Sequence, residues 1–226
     1  LGAIGLITGE VGSGKSTAIR YAAEHLHPSE YKSLYMTASS GAIMEFYRQM
    51  IHELDIHIKT NSKAMMLRII KKEISALVCE KKIKVLLLVD EASLLRLEVF
   101  AELHTICQFE KDSKPYLPII LVGQNNLIDK LSYRSSQPLA SRVVARSHLQ
   151  GTDLAGMKDY LKHHLNIAGI KHNLFDQNAI TAIQQASGGL FRKANHLARG
   201  ALIAAAADQA AQLNAEHVRL AATEIF

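Results

Sequence analysis

Eight consecutive residues, Gly9-Glu10-Val11-Gly12-Ser13-Gly14-Lys15-Ser16, complete the pattern G-x-x-x-x-G-K-[ST] without a substitution. The apolar run Ala3-Ile4-Gly5-Leu6-Ile7 precedes them, and the helix-like Thr17-Ala18-Ile19-Arg20-Tyr21-Ala22-Ala23 follows. That context, strand then glycine-rich turn then helix, is what separates a phosphate loop from a chance match. Glycines let the backbone wrap closely around an oxyanion and take dihedrals that a side chain forbids. The exposed N–H groups and the positive end of the following helix then favour a phosphate. Lys15 would place a point charge on the β- and γ-phosphates, Ser16 would ligate Mg²⁺, and Thr17 closes the set of contacting residues. The pattern predicts a nucleoside-triphosphate site built from residues 9–17, with Mg²⁺ as the accompanying metal.

The rest of the first 150 residues agrees with such a site. Apolar segments at Ala3–Thr8, Ser33–Thr37, Val85–Val89, Ile119–Val122 and Val143–Leu149 alternate with helical periodicity, the signature of a parallel α/β sheet. Val85-Leu86-Leu87-Leu88-Val89 is apolar throughout, as expected of a strand covered on both faces. Two helical stripes lie between the second and third strands. One is Ile43, Phe46, Tyr47, Met50, Ile51 and Leu54; the other is Met66, Ile69, Ile70, Ile74, Leu77 and Val78. After Gly151 the strand signals stop. Helices are expected at about 153–168, 177–187, 190–209 and 214–225, with Asp153 and Asn214 as N-caps and Gly169 as a helix stop. The expected organisation is an α/β core over residues 1–150 with a five-stranded parallel sheet, then a small all-α domain over 151–226.

The third strand ends in Asp90-Glu91. Asp90 is placed to hold the Mg²⁺ shell, and Glu91, beyond the strand end, to polarise an attacking water. Such a pair also occurs as a helix cap; the phosphate loop upstream favours the chemical role. The fourth strand ends in Gly123-Gln124-Asn125-Asn126, whose amides could meet the γ-phosphate or the lytic water, Gln124 first and Asn125 second. The alternative is that these amides cap the helix at Leu127–Leu131.

Taken in order, the phosphate loop, the Asp-Glu strand, the polar-ended strand, an arginine segment and a helical domain with Gly-Gly-x-x-Arg resemble an AAA+ ATPase. More narrowly, the chain resembles the family of general secretion pathway protein A (the ExeA type) and the related ATPases of transposable elements. The stretches that carry the likeness are Thr8–Thr17, Leu87-Leu88-Val89-Asp90-Glu91-Ala92, Leu121-Val122-Gly123-Gln124 and Ser187-Gly188-Gly189-Leu190-Phe191-Arg192-Lys193-Ala194-Asn195. The resemblance implies an AAA+ P-loop core with a helical lid, ATP as the nucleotide, and a ring or filament of subunits that complete one another's sites. It gives Arg142 the part of an arginine finger, with Arg146 close enough to exchange roles, though a surface salt bridge would also account for either. It gives Arg192 the part of the lid arginine that contacts the γ-phosphate. The chain departs from the family in having Phe191 where proline is usual. It also begins almost at the first strand, which reads as a fragment of a longer protein. The membrane and cell-wall regions of secretion-type members are not in the sequence, so they either lie past Phe226 or the chain is of the free-standing transposition type.

The net charge is +5, and the excess is uneven. Between Lys59 and Lys84 eight basic residues (59, 63, 68, 71, 72, 81, 82, 84) stand against Glu73 and Glu80. Clustered cations of this kind offer DNA as a partner, although they also serve as a solvated helix face. The expected partners are therefore other copies of the chain together with a secretion-apparatus protein, or a transposase with DNA bound through 59–84. No apolar run approaches the ~20 residues that span a bilayer. Two cysteines in no metal or redox spacing fit a cytoplasmic protein. The eleven histidines show no ligand spacing that suggests zinc. A small-molecule P-loop kinase would need an arginine-rich lid within the core, and Glu91 argues against a non-hydrolysing switch or scaffold.

Overall fold

The computed structural model describes residues 3–111 and 114–225. Five strands run in the chain order β1 (Ile4–Gly9), β2 (Tyr31–Thr37), β3 (Lys84–Asp90), β4 (Ile119–Gly123) and β5 (Val143–Leu149). They form a single sheet in the spatial order β2-β3-β4-β1-β5. The pairings β1–β4, β2–β3 and β3–β4 are parallel, with Leu6 opposite Leu121, Thr37 opposite Asp90 and Leu88 opposite Ile120. This is the expected α/β architecture, a parallel five-stranded sheet, with helices following it among the described residues.

β3 is covered on both faces, as its unbroken apolar run predicts. Val85, Leu87 and Val89 enter the main core, while Leu88 joins Ile19 and Val122 on the opposite side. The helices of the main core are α2 (Ile43–Glu53), α3 (Lys63–Cys79) and α4 (Leu97–Ile106); α1 (Lys15–Glu24) sends Ile19 to the other face. Phe46, Tyr47, Met50 and Ile51 of α2 and Met66, Ile70, Ile74 and Leu77 of α3 are buried, so both stripes read from the sequence face the core. α4 is an addition to the elements expected above. It buries Val99, Phe100, Leu103 and Ile106 at helical spacing. The buried Tyr47 hydroxyl donates to Glu102 of α4 at 2.6 Å, and Lys63 at the start of α3 donates to the same carboxylate. One carboxylate thus ties α2, α3 and α4 together. The short helices α5 (Asn126–Ser132) and α6 (Gln137–Ala140) then lead to β5.

The remaining helices are α7 (Leu154–Ile167), α8 (Gln177–Ser187), α9 (Phe191–Ala207) and α10 (Ala215–Ile225). They close around their own core of Met157, Leu161, Ala179, Ile183, Leu197, Ala201 and Val218 among others. Asp153 caps α7 by accepting from the Gly156 N–H at 2.8 Å, and Asn214 accepts from His217 N–H at 3.2 Å. Asp176 caps α8 in the same way, through Ala179 N–H at 2.6 Å. Gly169 follows α7 at φ 82, a conformation open to glycine. α9, alanine-rich, uses Ala194, Ala198, Ala201 and Ala205 for close helix packing. Among the described residues no helix is long and apolar enough to cross a membrane. Packing divides the chain into two compact units, Leu1–Gly9 with Lys15–His148, and Glu10–Gly14 with Leu149–Phe226.

Candidate nucleotide site

The loop between β1 and α1 has the backbone its sequence demands. Gly12 and Gly14 sit at φ 88 and φ 95, where an L side chain is strained. At Gly12 a Cβ would also come within 2.7 Å of Arg192 Cβ. Ser13 N–H donates to Glu10 O at 3.2 Å, which fixes the turn. Lys15 is the first residue of α1 and is buried; its ammonium donates to Gly9 O at 2.9 Å. Ser16 is half-buried behind it, and Thr17 is exposed. The Ser13 hydroxyl is buried without a hydrogen-bond partner. The two left-handed glycines and the Ser13 hydroxyl, unpartnered among the described residues, have the chemistry a phosphate needs, and so, for its own part, has the buried ammonium at the first position of α1.

Asp90 ends β3 with its carboxylate 5% exposed. Both oxygens are held by neutral donors: Oδ1 accepts from Glu91 N–H at 2.9 Å, and Oδ2 accepts from the Tyr35 hydroxyl at 2.8 Å. A buried carboxylate held this way suits a divalent cation, because neutral donors leave its charge uncompensated. The donor set of Asp90 with the Ser16 hydroxyl, all oxygen, therefore fits Mg²⁺. Burial, followed by the bond to Asp90, pushes the Tyr35 phenol up to about 12, so it remains a proton donor through the neutral range.

Glu91 follows in the left-handed region, at φ 52 and ψ 32. This conformation turns the chain out of the strand line into a short 3-10 turn, Ala92–Leu94, and leaves Glu91 half-buried. It costs a non-glycine residue about 1–2 kcal/mol. Gly123 at the end of β4 makes room for the same turn. A Cβ there would lie 2.9 Å from the Ser93 backbone nitrogen, which explains why this strand end carries glycine before Gln124. Gln124 is half-buried and gives its carbonyl to Leu127 N–H at 3.0 Å. Asn125, at the N-cap of α5, makes no side-chain cap. At the start of β1, Ile4 N–H donates to Arg142 O at 3.1 Å; near its end, Thr8 Oγ1 and His148 Nδ1 are hydrogen-bonded at 3.0 Å.

The two arginines proposed for a finger differ in environment. Arg142 is buried, and its Nε donates to His104 Nδ1 at 3.1 Å. Arg146, on β5, is exposed. In the helical unit, Arg192 is exposed in the first turn of α9, with its backbone N–H 3.4 Å from Gly12 O. Phe191 packs on Gly14, where a Cβ would meet its ring at 3.4 Å, and its ring stands 4.6 Å from that of Tyr160. An aromatic contact thus holds the start of α9.

Tyr35, His148 and His104 were not among the candidates read from the sequence. A tyrosine within a strand carries no signal until β2 is known to pair with β3.

An AAA domain family model matches residues 2–131. General secretion pathway protein A of Aeromonas hydrophila is 30% identical over 221 residues, covering 97% of this chain and 40% of that protein. The chain therefore spans well under half the length of that relative. Among solved structures, Cdc6p of Pyrobaculum aerophilum superposes with a TM-score of 0.75 at 16% identity, covering 99% of this chain and 61% of that one. The ORC1 protein of Aeropyrum pernix in complex with DNA gives 0.69 at 16% identity, covering 99% and 59%.

The left-handed backbone at residue 91 yields a stability prediction. Glu91→Gly is expected to raise the unfolding free energy by about 0.5–1 kcal/mol, relief of the left-handed cost less the extra freedom of an unfolded glycine. Glu91→Gln, which keeps the strain, is expected to leave it unchanged. Urea denaturation of the two variants measures the difference, and a less stable glycine variant would show that the backbone there is unstrained.

Proposed function

This chain belongs to the AAA domain family, and on that premise we propose that it binds and hydrolyses ATP with Mg²⁺ to drive assembly or remodelling of a macromolecular partner. The observation that carries the proposal is the pair Asp90-Glu91: one carboxylate buried and held from both sides, the next turned out of the strand. The first carboxylate alone serves to bind the metal; a second, free to meet water, supports hydrolysis.

In this reading the loop Gly9–Ser16 and Lys15 cradle the phosphates, and Ser16 and Asp90 hold the metal. Mg²⁺, when bound, supplies positive charge against the β- and γ-phosphate oxygens. Glu91 accepts the proton of the attacking water, and Gln124 orients that water. Arg192 reports the γ-phosphate to the helical lid. The 30% identity to general secretion pathway protein A supports a secretion-apparatus protein as the partner. ATP as the proposed substrate supports a cytoplasmic location. A shared site in a ring or filament requires an exposed finger. The burial of Arg142 on His104 and the exposure of Arg146 support giving that role to Arg146, with Arg142 fixing the end of α6 against α4.

A second reading, a transposition helper that binds DNA and activates a transposase, draws on the basic segment. Lys63 is engaged by Glu102, Lys71 donates to Gln108 O at 2.7 Å, and Lys84 donates to the Tyr31 hydroxyl at 3.2 Å. Lys59, Arg68, Lys72, Lys81 and Lys82 remain exposed, enough for several phosphate contacts. The ORC1 structure of the same fold holds DNA.

Three measurements test these statements. Glu91→Gln should bind ATP as the unsubstituted protein does and lose at least about 100-fold in steady hydrolysis; normal turnover would remove Glu91 from the water-activating role. Mixing Lys15→Ala with Arg146→Ala subunits should restore hydrolysis that neither has alone, whereas rescue by Arg142→Ala in its place would reassign the finger. For the DNA reading, ATP-dependent binding of the full-length protein should weaken with salt at a log–log slope of about −0.9 per phosphate contact, and Lys72→Glu with Lys82→Glu should flatten that slope. Absence of binding at low salt would leave the secretion reading alone.

A further inference from the structure

The Tyr35 hydroxyl lies 2.8 Å from Asp90 Oδ2, and no role for this tyrosine follows from the phosphate loop or the carboxylate pair. β2 brings it there by register. Thr37 is level with Asp90 and Tyr35 with Leu88, so the phenol extends along the sheet surface to the carboxylate two residues on. The flanking Leu34 and Met36 point into the main core, while Tyr35 packs on the other face, with Leu88, Ile19 and Val122. The ring is therefore seated by apolar contacts that a phenylalanine would keep.

Among the described residues the Asp90 carboxylate has one further donor, the Glu91 N–H on Oδ1 at 2.9 Å. With one donor on each oxygen the plane of the carboxylate is set, and the second lone pair of each oxygen remains for another partner. The Glu91 bond aligns only Oδ1. Tyr35 supplies the other half of the alignment from a different strand.

We propose that Tyr35 is a positioning residue for the metal, orienting the Asp90 carboxylate so that it can hold Mg²⁺ beside the phosphate loop; this rests on the nucleotide-site reading above. Donors behind a metal's carboxylate typically govern its affinity by 10–100-fold. In this reading the tyrosine acts through Asp90.

The test uses Tyr35→Phe, which deletes one oxygen, and direct binding of a fluorescent non-hydrolysable ATP analogue followed by its emission. In EDTA the variant should bind the analogue as tightly as the unsubstituted protein. With MgCl₂ titrated in, the concentration giving half of the metal-dependent tightening should rise about 10-fold. In an Asp90→Asn background the same change should shift that concentration no further, because the oxygen it orients no longer carries charge. An unshifted Mg²⁺ midpoint would overturn the inference, as would an equal loss of affinity in EDTA, which would make Tyr35 a general support of the loop. Failure of the unsubstituted protein to bind the analogue in either buffer would overturn the nucleotide-site reading itself, and this inference with it.

Discussion

The burial of the Lys15 ammonium at the first position of α1 is the constraint on which the rest of the site depends. A helix N-terminus carries partial positive charge and favours anions, so a buried cation there is placed against the local field. Its bond to Gly9 O holds it at the end of β1, on the inner side of the loop. The nucleotide proposed above would bring negative charge to this place. Gly12 and Gly14, at positive φ, give the loop the curvature to admit it, and the buried Ser13 hydroxyl lacks a partner within the protein. These local features support the phosphate site proposed above.

β3 balances this from the other side. A strand covered on both faces has a rigid, water-poor end, which is where an uncompensated carboxylate is most costly and most effective. The sheet order puts β4 between β3 and β1, so the Asp90 end of β3 and the Gly9 end of β1 lie at the same, C-terminal end of a parallel sheet. Parallel α/β sheets bind ligands at that end. Gly123 is part of the same construction, since its missing Cβ lets the turn at Ser93 approach the end of β4.

Much of this was legible in the chain because it rests on local rules. Glycine at left-handed positions, an apolar run for a doubly covered strand and 3.6-residue stripes on α2 and α3 depend on neighbours in sequence. What was not legible depends on strand order and register. Tyr35 reaches Asp90 only because β2 pairs with β3, and His104 reaches Arg142 only because α4 packs beside α6. The basic segment illustrates the same limit: eight cations can be counted from the sequence, but the partners of Lys63, Lys71 and Lys84 all come from distant residues. β2 begins at Tyr31, two residues before the expected Ser33, because pairing with Lys84 extends it beyond its apolar pattern.

Asp90 and Glu91 are adjacent residues of similar chemistry in different surroundings, which supports the different work proposed for them. Asp90 is buried, accepts one hydrogen bond on each oxygen and ends a strand fixed by neighbours on both sides. Glu91 is half-buried and owes its direction to a strained backbone instead of side-chain contacts. A carboxylate that must hold a metal in one orientation gains from fixed donors. One that must take a proton gains from freedom to meet water and from lone pairs not already engaged. Relaxing residue 91 into the β region would continue the strand and carry the second carboxylate to the opposite face of the sheet, away from Asp90. The strain at that residue is thus what keeps two carboxylates on one edge, one held and one available.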